Sequence, residues 1–186
     1  MTKSKTFVHH LCDSLRLHGA ITAEQHKSMV EEFSDQARLD FENFLVTEGL
    51  VSRAKLLESL SYVYKVPSFD TVGYFFDHYL VTRFDKEFLG RKNIIPLSVD
   101  DDAVLIMIAA VPDDPTLAEE IMTYVSWEPT FMVGMYQDIQ DAIDEYYDES
   151  LTIYPPDEEL PDEEREERVL EEGNDIDRIA KSSNQE

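Results

Sequence analysis

The chain has 186 residues, 40 acidic and 16 basic, with a formal net charge of −24 at pH 7. That balance argues against gripping nucleic-acid backbones, which takes a basic face, and against docking on anionic membranes. A content of 42% hydrophobic and 11% aromatic residues is enough for a buried core. The lone Cys12 permits no intrachain disulfide, which suits a reducing, cytoplasmic setting.

Residues 4–65 read as a subdomain of two tandem helical hairpins. Phe7, Leu11 and Leu15 recur every four residues, and Gly19 follows as a helix stop. Thr22 opens a capping box with Gln25, ahead of an apolar face of His26, Met29, Val30 and Phe33. Ser34 or Asp35 is the expected cap of a third helix carrying Ala37, Phe41, Phe44 and Leu45, with Gly49 as its stop. Ser52 caps a fourth, with Leu56, Leu57, Leu60 and Val63 inward, and Pro67 stops it. The hairpins superpose at a period of thirty residues, pairing Leu11 with Phe41, Leu15 with Leu45, Gly19 with Gly49, Ile21 with Val51 and Thr22 with Ser52. Two copies are too few for a solenoid and point to a four-helix unit.

Residues 66–147 change character. P-S-F-D at 67–70 is a short extended piece, and the aromatic run from Tyr74 to Leu80 is expected to pack inward as a short helix or turn. A helix over Phe84 to Lys92 uses Phe84, Phe88 and Leu89. The runs I-I-P-L-S-V and A-V-L-I-M-I-A-A flank Asp100-Asp101-Asp102, a hairpin signal, and Pro96 places the first run at a sheet edge or bulge. The apolar run from Ala103 to Val111 is too short to span a bilayer, so no direct membrane insertion is expected. Asp114 is the expected N-cap and Pro115 the first residue of a helix that buries Ile121, Met122 and Val125. A third strand over Thr130 to Val133 and a last helix with Tyr136, Ile139, Ala142, Ile143 and Tyr146 follow. The order predicts an α+β fold: the helical unit, then a small α/β sandwich with a three-stranded, mainly antiparallel sheet. Residues 148–186 read as a disordered acidic tail; from Leu151 onward there are 13 acidic and 4 basic residues.

No catalytic constellation emerges. His9, His10, Cys12 and His26 lack a second pair at ligand spacing, and Phe7, Leu11 and Leu15 turn that helix toward the core, so no metal is expected. The three adjacent aspartates lack the alternation, central glycine and distal glutamate of a calcium loop and read as a solvated turn. Cys12 has no base placed beside it by a visible site, and no glycine-rich phosphate loop occurs. The expectation is no catalytic residue, no cofactor and no enzyme.

The segments K-V-P-S-F-D, V-T-R-F-D-K-E-F-L-G-R-K-N-I-I-P-L, D-D-P-T-L-A-E-E-I, W-E-P-T-F-M-V and I-Q-D-A-I-D-E-Y-Y stand in an order and spacing that resembles the N-terminal domain of type II secretion and type IV pilus assembly ATPases, the GspE N-terminal and MshEN type. The resemblance spans about Phe7 to Tyr147. In that family the helical unit carries two motifs of the form R-L-G-x-x-L-x-x-x-G-x-[LIV]-x-x-x-x-L-x-x-x-L-x-x-Q, and in MshEN-type members the pair binds cyclic di-GMP. Carried onto this chain, the ligand-binding places are His10, Leu11, Cys12, Leu15 and Gly19 in the first copy. In the second they are Asp40, Phe41, Glu42, Leu45 and Gly49. The leucine and glycine places match. The opening arginine falls on His10 and Asp40, the next glycine on Cys12 and Glu42, and the closing glutamine on Phe33 and Val63. Arg38 lies two residues off register. Carboxylates facing the phosphates of cyclic di-GMP would each cost on the order of 1 kcal/mol or more, and the attraction and stacking of arginine are lost. Cyclic di-GMP is therefore not expected in the family's usual mode.

The resemblance implies a non-catalytic, cytoplasmic adaptor or regulatory module that docks on a protein partner, a secretion or pilus platform protein in the resembled family. The family's P-loop motor has no counterpart in these 186 residues; a whole protein of this length would be a stand-alone relative of the docking domain, and a longer one would carry the motor downstream. The alternatives are a cyclic di-GMP receptor with a remodelled site and a decoy that competes with a motor ATPase.

Overall fold

The computed structural model describes residues 6–147; the expected acidic tail lies outside them. Four helices come first: α1 (Phe7–Leu17), α2 (Ala23–Phe33), α3 (Arg38–Thr47) and α4 (Arg53–Tyr64). α1 and α3 end alike. Gly19 and Gly49 adopt φ of +67° and +65°, and beyond them Ala20 N–H donates to the Leu15 carbonyl (2.8 Å) and Leu50 N–H to that of Leu45 (3.0 Å). A left-handed residue lets the chain turn back and satisfy carbonyls that the helix leaves open. The capping box at α2 is complete: Gln25 N–H donates to Thr22 Oγ1 (3.2 Å) and Thr22 N–H to Gln25 Oε1 (2.8 Å). At α4, Lys55 N–H donates to Ser52 Oγ (3.4 Å).

The start of α3 differs from expectation. Neither Ser34 nor Asp35 caps it; Ser34 closes α2, a turn from Phe33 to Gln36 intervenes, and Ala37, expected inside α3, is an N-cap with no side-chain bond. What holds this end is the side chain of the first helical residue, Arg38, described below.

The remaining elements are α5 (His78–Val81), α6 (Lys86–Lys92), β1 (Ile94–Val99), β2 (Val104–Ala109), α7 (Leu117–Ile121), β3 (Glu128–Val133) and α8 (Tyr136–Tyr146). The fold is α+β, with sheet order β1-β2-β3. β1 pairs antiparallel with β2 across the aspartate turn, where Asp100 Oδ1 accepts from Asp102 N–H (3.0 Å) and Val104 N–H (2.8 Å) and Ala103 takes φ of 60°. Pro96 meets both expectations, on an edge strand and beside a bulge between Pro96 and Ser98. β2 pairs parallel with β3, so the sheet is mixed rather than mainly antiparallel. The connection explains it. The stretch between Ala109 and Glu128, with α7 inside it, is long enough for a crossover, whereas antiparallel neighbours need only a tight turn. Residues 67–69 lie parallel alongside the end of β3, where Val133 N–H donates to the Pro67 carbonyl (2.8 Å) and Phe69 N–H to the Val133 carbonyl (2.9 Å).

Three local expectations are corrected. α7 starts at Leu117, after Asp114 and Pro115, because Asp114 Oδ1 instead holds Thr116 N–H and Oγ1 (both 2.9 Å) in a tight turn; Met122, past the helix end, is exposed while Ile121 and Val125 are buried. Phe84 is buried but precedes α6, which begins at Lys86. The aromatic run does not pack inward as a unit: only Phe76 and Leu80 reach the core, while Tyr74, Phe75 and Tyr79 face solvent.

Two apolar clusters form. Leu11, Leu15, Phe41, Leu45, Leu56 and Leu60 centre the helical one, and Ile94, Ile95, Leu105, Met107, Ile108 and Ile143 the sheet one. They adjoin after β3, where Val133 and Met135 belong to the first and Ile139 to the second. Among the described residues no helix is long and apolar enough to cross a membrane. Gly134 sits at the junction with no room for a side chain: a Cβ would stand 2.7 Å from Ile108 Cγ2 and 3.0 Å from Ile139 Cδ1. Gly134→Ala is expected to lower the unfolding free energy by about 1–3 kcal/mol through overpacking, measured by urea denaturation; an unchanged midpoint would show that the junction is looser than this packing.

Candidate functional site

The tandem-motif places divide sharply by exposure. Leu11, Cys12, Leu15, Phe41 and Leu45 are fully buried and Glu42 is 1% exposed. His10 and Asp40 face solvent, as do the left-handed Gly19 and Gly49. The motif thus supplies two matched helix ends and the core beneath them, with one histidine and one aspartate at the surface.

Glu42 is not turned toward a ligand. Arg38 Nε donates to its Oε1, and the Tyr136 N–H at the start of α8 donates to Oε2 (2.9 Å). Burial pushes the Glu42 carboxyl above the ordinary glutamate range, against the pull of the guanidinium and the backbone N–H. Arg38, 9% exposed, uses the rest of its fork elsewhere. Nη1 donates to Tyr64 Oη (2.8 Å) and the Ala110 carbonyl, and Nη2 to the Gly134 carbonyl (3.3 Å). The guanidinium lies 4.9 Å from the Phe7 ring centre and 5.2 Å from that of Tyr64. An arginine in this place anchors structure, and its charge is already matched. Its spacing to Glu42, four residues on one helix, is the sequence signal that marks the pair.

A second arginine ties the halves outside the core. Arg53 donates to both oxygens of Asp138 (3.1 and 2.6 Å) and to Asp70 (2.8 Å), joining the start of α4 to α8 and to the strap, residues 65–73, that leads toward α5. Two of the candidate histidines are similarly occupied: His26 Nε2 meets Asp13 Oδ1 at 2.8 Å, and His9 Nδ1 meets Thr6 Oγ1 at 3.1 Å. Among the described residues, no cluster of three or more His, Cys, Asp or Glu side chains is placed to hold a metal. Burial, helped by Asp13, pushes the Cys12 thiol up to about 12.

The exposed chemistry lies elsewhere. From the strap into α5, Val72 is 64%, Phe75 95% and Tyr79 76% exposed, with Tyr74 beside them. Tyr74 also stacks edge-on with Phe69 and Phe76, which anchor the segment. Next to it a shallow groove of ≈ 440 Å³ is lined by Tyr74, Tyr79, Arg83, Leu97, Val99 and Trp127. The sequence signal for this surface is an aromatic run with neither helical nor strand period.

Two outcomes test the buried groups. Glu42→Ala is expected to cost about 3–5 kcal/mol of stability, because it strands the Arg38 charge in the interior; a loss under about 1 kcal/mol in urea denaturation would show the pair to be dispensable. Cys12 is expected to react with a disulfide reagent at pH 8 only at the rate of unfolding. Its raised thiol pKa also contributes stability that is complete below the ordinary value of 9.0 and is lost as pH rises toward about 12. Rapid native-state labelling would contradict both statements.

Residues 76–153 match the model of the MshEN domain, which takes in α5 to α8 and leaves out the tandem hairpins. No curated protein matches the chain. Among solved structures, "MshE with cdg" is similar with a TM-score of 0.53 at 18% identity, over 74% of this chain and 98% of that one. The N-terminal domain of XpsE is similar with a TM-score of 0.52 at 18% identity, over 78% of this chain and 99% of that one. At such identity the likeness to both structures is one of fold. Residues 76–153 are thus similar to the MshEN domain, and the fold is one this chain shares with both structures.

Proposed function

We propose that this domain is a non-catalytic, cytoplasmic docking module for a protein partner, with a secretion or pilus platform protein as the partner its relatives suggest. The observation that carries the reading is the exposed aromatic segment: Phe75 at 95% and Tyr79 at 76% exposure, beside Val72 and Tyr74. A chain of charge −24 has ample polar material to cover its surface, so a contiguous apolar patch held in place by Phe69 and Phe76 is best accounted for by a partner.

The likeness to MshE with cdg favours a second reading, a cyclic di-GMP receptor with a remodelled site. The tandem-motif surface offers such a ligand little. Its buried arginine is matched by Glu42, and its exposed opening residues are His10 and Asp40. Calorimetry with cyclic di-GMP is expected to give no saturable heat at micromolar concentrations. Saturation there would put the receptor reading first. In the complementary experiment, the wild-type chain and a Phe75→Ser/Tyr79→Ser variant are used as bait against the cytoplasmic part of the cognate platform protein. Capture by the wild type and loss with the folded variant are expected; equal capture by both would place docking on another face.

A further inference from the structure

The groove beside the aromatic segment is lined in part by strand β1. β1 is an outer strand of the sheet. Its first half is closed to further pairing, since Pro96 has no N–H to offer and the adjoining bulge breaks the register. Its second half, Leu97 to Val99, lines the groove. Ser98 and Val99 pair with β2 and Leu97 sits at the bulge; beyond that ladder the backbone of these three residues makes no hydrogen bond among the described residues. Outward N–H and C=O groups on a strand are a template for another strand. The groove's aromatic lining is stiffened: the Arg83 guanidinium lies 5.8 Å from the Tyr79 ring and 5.6 Å from that of Trp127, so its charge is directed at the rings.

The charge around the groove is acidic. Asp77 heads α5, and Asp100, Asp101 and Asp102 continue directly from Val99. Asp100 is engaged in the turn, whereas Asp101 and Asp102 are exposed. The field of a chain with net charge −24 adds to theirs and draws cationic partners. We infer that an extended, strand-forming segment of a basic partner protein occupies this groove. Its backbone pairs with the Leu97–Val99 edge, an apolar side chain lies between Tyr74, Tyr79 and Trp127, and lysine or arginine side chains reach Asp101 and Asp102. The inference rests on the docking reading above and names the kind of segment that docks.

Trp127 is the single tryptophan of the chain and lines the groove, so its emission reports occupancy. The probe is the capped hexapeptide Ac-Lys-Thr-Val-Phe-Val-Lys-NH2, titrated into the full chain. The expected result is a saturable change in Trp127 emission at submillimolar peptide. Binding should weaken at least about tenfold when both lysines are replaced by glutamate, or when the valine before phenylalanine is replaced by proline. Asp101→Asn/Asp102→Asn should weaken it roughly threefold without moving the unfolding midpoint. Absence of saturation at millimolar peptide, equal binding of the glutamate or proline peptide, or an identical emission change with cyclic di-GMP alone would each overturn the inference. So would concentration-dependent dimerisation that buries Trp127, which would assign the groove to a second copy. If the peptide fails while Phe75→Ser/Tyr79→Ser still abolishes platform capture, docking stands and the strand-pairing segment falls; if both fail, the docking reading falls with it.

Discussion

The Arg38 guanidinium is the buried ion that joins the helical and sheet halves of the fold. From the first turn of α3 it reaches Glu42 on its own helix, Tyr64 on α4, the Phe7 ring on α1, and carbonyls just beyond β2 and β3. Through Glu42 the same network holds the first N–H of α8. Charge-assisted bonds of this kind are stronger than neutral ones, and a buried ion is tolerated only when nearly all its donors are used. The planar fork of arginine can serve so many partners at once; a lysine at this place could not. The result is geometric. The ends of two strands and the starts of two helices are referred to one side chain, and the crossover that makes the sheet mixed closes against it.

That role sets what the helical unit can do. The tandem motif retains its leucines and glycines because they make helix ends and core, and Gly19 and Gly49 still turn the chain as two equivalent left-handed stops. Two of the places where the resembled motif has glycine hold structural side chains instead. Cys12 fills the core, and Glu42 neutralises Arg38. Exposed aromatic side chains gather instead on the sheet half, where a segment anchored by Phe69 and Phe76 stands near the outer strand β1.

Much of this was legible from residues alone where a single local cause operates. The capping box at Thr22 and Gln25, the glycine stops, the aspartate turn and the edge position of Pro96 each follow from backbone chemistry within a few residues. Expectations failed where a distant group competed with the local one. Ser34 and Asp35 are good caps, yet α3 begins later, where Arg38 finds partners remote in sequence. Asp114 is a good cap too, but its carboxylate closes a turn onto Thr116 and meets Lys92 (3.3 Å). The aromatics from Tyr74 to Tyr79 looked like core because of their type; the core beneath was already filled by Leu80, Val81 and Phe84.

The sequence by itself determined the α+β class, the paired helical hairpins, the first sheet hairpin and the resemblance to an MshEN/GspE N-terminal domain, because periodicity, caps and turns are short-range and additive. Only the tertiary structure decided that Glu42 faces inward onto Arg38, that β3 runs parallel to β2, and that Phe75 and Tyr79 are left to solvent. Those outcomes depend on which groups meet across long stretches of chain. Burying an ion, closing a crossover and excluding a ring from a filled core are settled by that packing, and no local pattern encodes it.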